Sequence, residues 1–183
     1  MQVPIEIARL SRLKTEELVK ELCEIDLAAF GSGRNWSKES FFAERTRKWE
    51  LSHVAMIGPS PIGFAVVSAR SQRIAHLHRL AVNPEYRGRR VGSDLLCAVE
   101  QVAHGFGNYL IQLEVDSGVS SHRFYTNLGY GRLQGDLLDE YLVRMGKHSE
   151  RALYTAPKKV ARQVFAKGLD ANDWESLRER AMQ

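Results

Sequence analysis

The residues best able to do chemistry fall in one stretch, Leu77-His-Arg-Leu-Ala-Val-Asn-Pro-Glu-Tyr-Arg-Gly-Arg-Arg-Val-Gly92. An apolar, strand-forming run from Ile74 to Val82 meets Asn83-Pro84-Glu85, where the proline blocks further strand pairing. Arg87-Gly88-Arg89-Arg90-Val91-Gly92-Ser93 then opens a helix. The first amides of a helix have no partner inside it, and they point outward at the positive end of its dipole. Gly88 and Gly92 let a ligand approach the backbone, and Arg87, Arg89 and Arg90 add charge. This is an anion site, and a diphosphate fits it better than other common ligands. Three further side chains could move protons. Glu114 lies on a strand predicted over 109–115, on the face it shares with Leu110 and Gln112. A carboxylate on an interior strand is unusual unless it is paired or lines a site. His76 and His78 share one side of the preceding strand, and an imidazole titrates near pH 6.5.

These residues need a frame, and the chain supplies one. It has 183 residues, 44% of them apolar, which is enough for a full core, and a net charge of +4 that mildly favours anionic partners. Cys23 and Cys97 sit in apolar, helix-like settings and are expected as buried free thiols of a reducing compartment. No signal peptide is visible, and no apolar run approaches the roughly 20 residues that span a bilayer. The expectation is a cytoplasmic protein with no membrane contact. Alternation predicts a strand over 5–10, and helical spacing predicts a helix over 15–30 with Thr15 as N-cap. Ser37 should cap a second helix through Arg47. Strands follow over 51–57 and 62–70, joined by Gly58-Pro-Ser-Pro61 as an antiparallel hairpin, and a third over 74–82. A helix over 91–106 leads to the strand at 109–115, parallel to 74–82. A short helix over 120–127 and two strands, 130–133 and 141–145, around a loop at 134–140 complete a mixed α/β sheet. The sheet is mostly antiparallel with one parallel βαβ unit and flanking helices. Lys158, Lys159, Arg162 and Lys167 alternate with Val160, Val164 and Phe165, which reads as a basic amphipathic helix ended by Gly168.

The stretch around Arg87 resembles the acyl-CoA signature of the GCN5-related N-acetyltransferases (GNAT), Gln/Arg-x-x-Gly-x-Gly/Ala after a strand and a proline turn. The pattern falls on Arg87, Arg90 and Gly92, with Arg90 standing where the family has its middle glycine. A second stretch, Leu113-Glu-Val-Asp-Ser-Gly-Val-Ser-Ser-His-Arg-Phe-Tyr-Thr-Asn-Leu-Gly-Tyr130, resembles the family's other signature through Phe124-Tyr125 and Leu128-Gly129-Tyr130. Gly118 replaces the asparagine usual there. Leu113-Glu114-Val115 and Trp36-Ser37 are similar to the ribosomal-protein N-terminal (alanine) acetyltransferases, although the tyrosines that subfamily carries in its last-strand loop are missing before Tyr141.

The resemblance covers roughly residues 5–145 and implies the GNAT fold for a domain over 1–147, followed by a helical, partly basic extension over 148–183. It implies acetyl-CoA as co-substrate and no metal. Leu80, Ala81 and Val82 would run along the pantetheine arm on a splayed strand, Arg87 to Ser93 would hold the diphosphate, and Gly118 and Phe124 would lie beside them. Tyr125 would protonate the departing thiolate, and Glu114, or else His76 or His78, would be the base. Trp36, Asp136 and His78 would line the acceptor groove. The implied acceptor is a primary amine: a protein N-terminus, with aminoacyl-tRNA or a small amine as alternatives. A lysine amine near pKa 10.4 costs roughly 4 kcal/mol to neutralise near pH 7.4, against less than about 1 kcal/mol for an α-amine near 7.8, which favours the N-terminus. The reading from another class is a non-catalytic CoA-binding regulator or scaffold. The implied assembly is a monomer or homodimer.

Overall fold

Thr15 ends the entry to the first helix by accepting a hydrogen bond from the Leu18 amide at 3.1 Å. The helix it caps, α1 (Glu16–Phe30), buries Leu18, Val19, Leu22 and Ile25 along one stripe. The computed structural model describes residues 4–12, 15–116, 121–145, 147 and 162–169. Within them lie the strands β1 (Ile5–Arg9), β2 (His53–Ile57), β3 (Ser60–Ala69), β4 (Ile74–Val82), β5 (Leu110–Asp116), β6 (Gly131–Arg132) and β7 (Arg162–Gly168). They form one sheet in the order β1-β2-β3-β4-β5-β7-β6. Every neighbouring pair is antiparallel except β4 and β5. The helix α4 (Val91–Gly105) makes the crossover between those two parallel strands, as the sequence predicts.

Helices cover both faces. Over one face, α4 and α5 (Ser121–Asn127) bury Ala65, Val67, Leu77, Ile111, Leu113 and Phe165 of the sheet. The other face has two separate covers. Helices α1 and α2 (Lys38–Phe42) pack on Val54, Phe64, Val66 and Ala81, while α6 (Gly135–Arg144) packs on Leu110, Val164 and Ala166. The strip between those covers carries the polar residues discussed below.

Four expectations need correction. The second helix stops at Phe42, and α3 (Lys48–Leu51) is a separate turn. Lys48 is buried between them and donates to the carbonyls of Phe41 and Ala43. The stretch 134–145 is not a loop and a strand but the helix α6. The strand preference of Tyr141 and Val143 is outweighed by Leu138, Tyr141 and Leu142 at helical spacing, with Asp136 in the first turn and Arg144 in the last. Residues 162–168 form a strand, not a helix. Val164 and Ala166 face α6 while Phe165 faces α4, so three consecutive buried residues fit an interior strand with both faces covered. Part of the supposed extension is thereby a member of the sheet, paired from Leu110↔Gly168 to Asp116↔Arg162. Finally, Cys97 is exposed on α4 and Cys23 is half-buried; both are free.

Candidate active site

The geometry of the site starts from one extra residue in β4. Val66 of β3 pairs with Arg79, but Val67 pairs with Leu77, so His78 has no partner opposite and forms a bulge. The bulge changes the phase of the strand. Leu77 faces α4, and so do Leu80 and Val82, whereas Arg79 and Ala81 face α1. Beyond the bulge, β4 and β5 part: their ladder runs from Ile74↔Leu110 only to Leu77↔Leu113, although both strands continue. The amide of Asn83 bonds the Ile62 carbonyl at 2.9 Å, toward β3. Alternation along the strand then turns the backbone of Ala81 toward β3 and aims the amides of Leu80 and Val82 into the opening beside β5.

At one end of that opening lies the start of α4. Asn83 accepts from the Glu85 amide, a single turn follows at 84–86, and Gly88 and Arg90 both adopt left-handed backbone, with φ of 75° and 64°. Arg90 is the N-cap and offers no side-chain cap, so the first amides of α4 face outward. The Arg87 and Arg89 side chains are exposed beside them, Arg89 resting over the Tyr86 ring. Successive amides around left-handed residues make an anion-binding concavity. Val91 is buried and contributes backbone only. Gly92 is where α5 comes closest: a Cβ there would lie 3.3 Å from Cζ of Phe124. Tyr125, the next residue, packs edge-on against Phe124 and Tyr130 and beside Phe165. Burial pushes its phenol above the usual range, so it stays protonated as a hydrogen-bond donor.

The opposite side of the opening holds a chain of polar groups. Glu114 is the first residue of β5 beyond the ladder. Its Oε1 accepts from the Tyr141 hydroxyl at 2.6 Å and from Lys147 Nζ at 2.6 Å, and Arg162 lies 3.7 Å from Oε2. Burial alone would raise its pKa, but the Lys147 and Tyr141 hydrogen bonds outweigh that and hold the carboxyl below its ordinary value. His76 stacks 6.5 Å from Tyr141 and meets His78 edge-on at 4.7 Å. His78 Nε2 is 2.8 Å from Ser68 Oγ. Burial, reinforced by Arg70, lowers His76 to about 4, and burial with the neighbouring His76 lowers His78 further, so both rings are neutral at pH 7. His76 Nδ1 is buried with no hydrogen-bond partner among the described residues.

The structure thus brings Leu80, Val82, Arg87 to Ser93 and Phe124 to one opening, with Glu114 and His78 on its other side, while Tyr125 packs behind Phe124 among Tyr130 and Phe165. Gly118 lies outside the described residues. Ala81 turns its backbone away from the opening. Trp36 packs into the α1–α2 cluster, 5.3 Å edge-on to Phe41, and Asp136 is exposed in the first turn of α6. Sequence reasoning missed the pair that fixes the α1–α2 loop. Asp26, with no exposed surface, takes Arg79 in a two-pronged contact at 2.7 and 2.8 Å and accepts the Trp36 amide at 2.6 Å. Arg79 also reaches the Arg34 carbonyl at 2.6 Å and lies 3.6 Å over the Phe30 ring. An acidic residue amid the apolar stripe of α1 was the available signal. Lys147 had no signal, because it reaches Glu114 only through α6.

Residues 17–130 match the Acetyltransferase (GNAT) family, and the chain belongs to it. No curated protein gave a significant sequence match. The fold is shared with the ribosomal-protein-S18-alanine N-acetyltransferase of Escherichia coli at 16% identity and TM-score 0.67, over 93% of this chain and 97% of that one. Ard1 from Thermoplasma volcanium superimposes at 17% identity and TM-score 0.69, covering 91% and 99%. The paia N-acetyltransferase of Thermoplasma acidophilum, solved in complex with coenzyme A, does so at 20% identity and TM-score 0.66, covering 90% and 99%.

Proposed function

We propose that this protein transfers the acetyl group of acetyl-CoA to a primary amine, with a protein N-terminus as the preferred acceptor. The observation that carries the reading is the opening between β4 and β5, with two backbone amides aimed into it and an amide-lined anion site at one end. The diphosphate would rest on the start of α4 among Gly88, Arg89 and Arg90, and the pantetheine arm would lie along Leu80 and Val82. The Val82 amide would donate to the thioester oxygen as charge develops there. The amine forms its new N–C bond as the C–S bond breaks, and the proton it sheds is matched by one delivered to the thiolate. The Tyr125 phenol would make that delivery; burial raises its pKa, so it holds its proton more tightly than an exposed phenol does.

The acceptor enters from the α1–α6 side, between the loop that Arg79 and Asp26 anchor and the helix that carries Tyr141. Glu114 is clamped by cations and His76 titrates near 4, so the described site holds no strong base near neutrality. That favours an α-amine, whose neutral fraction is already large at pH 7.4. The similarity in fold to an S18-alanine N-acetyltransferase points the same way.

The test supplies acetyl-labelled acetyl-CoA with four acceptors: a peptide with a free N-terminus, an N-blocked peptide containing lysine, a small polyamine and an aminoacyl-tRNA. Label on the free N-terminus is expected. The Tyr125→Phe variant should lower kcat while leaving acetyl-CoA affinity within about twofold. No label on any acceptor, with acetyl-CoA still bound, would replace the enzyme by a CoA-binding regulator.

A further inference from the structure

We infer that Lys147 is a self-acetylation site: the enzyme's own lysine occupies the acceptor-amine position and accepts an acetyl group within the same molecule. The inference rests on the acetyltransferase reading above. Glu114 marks the position. It is the first β5 residue past the last β4–β5 pair, Leu77↔Leu113, and so lies at the mouth of the opening on the acceptor side. Lys147 Nζ sits 2.6 Å from its Oε1. The Tyr141 hydroxyl holds the same oxygen at 2.6 Å, which orients the carboxylate toward the amine. On the acceptor side of the opening, an incoming ammonium would meet the same carboxylate, and Lys147 already meets it. His76 beside it, 6% exposed and with Nδ1 unpartnered, leaves an acceptor for a second amine proton or a bridging water.

The reaction balances without a further reagent. The ammonium of Lys147 releases one proton to solvent, the neutral amine forms an N–C bond with the acetyl carbon, and the C–S bond breaks. The second amine proton leaves with the thiolate as the free thiol. Only about one lysine amine in a thousand is neutral near pH 7.4. Holding amine and thioester in one molecule offsets that, since well-oriented intramolecular reactions reach effective molarities on the order of 10⁵–10⁸ M.

The chain supplies its own control. Lys167 pairs with Glu100 at 2.7 Å and its side chain is 28% exposed, against 26% for Lys147. It lies on the opposite face of the sheet, against α4, away from Glu114. The wild-type protein is incubated with isotope-labelled acetyl-CoA, digested, and the two lysines are compared by mass spectrometry; a parallel sample receives acetic anhydride, which needs no binding site. Labelling of Lys147 at least about tenfold over Lys167 with acetyl-CoA, and about equal labelling with the anhydride, is expected. The rate constant should not depend on protein concentration. Equal labelling of the two lysines by acetyl-CoA overturns the inference, and so does a rate that rises with protein concentration. If a free peptide N-terminus is acetylated while Lys147 is not, the inference fails and the enzyme reading stands. If neither is acetylated, both fall.

Discussion

Arg90 stands where the acyl-CoA signature that the stretch around Arg87 resembles has a glycine. Its φ of 64° and ψ of 2° lie in the left-handed region. A residue with a Cβ pays roughly 1–2 kcal/mol to stay there. Glycine avoids that cost but loses about 0.5–1 kcal/mol more backbone entropy on folding. Arg90→Ala and Arg90→Gly remove the same charge and differ only in these two effects. The glycine variant should therefore be the more stable by about 0.5–1 kcal/mol, which is about 1–4 °C in melting temperature for a domain of this size. Arg90→Val should fall below Arg90→Ala, because a β-branched residue tolerates the left-handed region worst. Thermal melts of the three variants in one buffer read the order. Acetyl-CoA titrations read the second consequence. The glycine variant keeps the amides aimed outward and loses one exposed charge, a loss of about fivefold in affinity at most. The valine variant, if it relaxes the turn, loses more. An alanine variant as stable as the glycine one would refute the argument that Arg90 is held against its preference.

Three further outcomes follow from the same geometry. A Cβ on Gly63 would meet the Ala81 carbonyl oxygen at 2.9 Å, and backbone gives way less readily than a side chain. Gly63→Ala should thus cost about 1–3 kcal/mol of stability by thermal melt and disturb the strand that carries Leu80 and Val82. Asp26→Ala leaves Arg79, whose side chain is 15% exposed, without its carboxylate. Breaking a buried pair costs about 3 kcal/mol, and the Trp36 amide loses its acceptor as well, so a larger fall in denaturant midpoint is expected than for Asp136→Ala on the surface. Stability should also drop in mild acid. His76 titrates near 6.5 in the unfolded chain and about 4 in the folded one, so the unfolded chain holds more protons between those values. Stability therefore falls as pH decreases through that window, by up to about 1.4 kcal/mol per pH unit for each such histidine. His76→Gln should flatten the plot of melting temperature against pH from 6.5 to 4; an unchanged slope would mean that His76 does not titrate as a buried neutral ring.

Much of the frame was legible because its signals are local. Thr15 before Glu16-Glu17 and an apolar stripe, and Pro84 after the strand-forming run of 74–82, each point to one element, and each element forms where expected. The bulge was legible too, although only in retrospect. Leu77-His-Arg-Leu80 puts two polar residues between two leucines, and strict alternation cannot bury both leucines on one face without an extra residue. The last third of the sheet was not legible, because its evidence is non-local. Gln163-Val-Phe-Ala-Lys167 looks like one face of a basic helix until Leu110–Asp116 and α6 are known to cover both of its faces. The helix α6 has the converse difficulty: Tyr141 and Val143 prefer strands, and packing on Ile74 and Val164 decides for the helix.

That non-local third changes the chemistry at Glu114. The sequence presents a carboxylate on an interior strand and leaves base and ion pair open. The fold surrounds it with Tyr141 from α6, Lys147 just after it and Arg162 from β7. A carboxylate with that company is held ionised, and it attracts an ammonium far better than it takes a proton. On the proposed function, an amine that reaches this position would be bound in its charged form and would have to lose its proton before it could attack. The cost of that loss is set by the amine itself, since neither Glu114 nor His76 has the proton affinity to lower it. A site so built would separate amines by their own pKa. α-Amines should react readily, while a lysine should react only when held in place, and Lys147 is held in place.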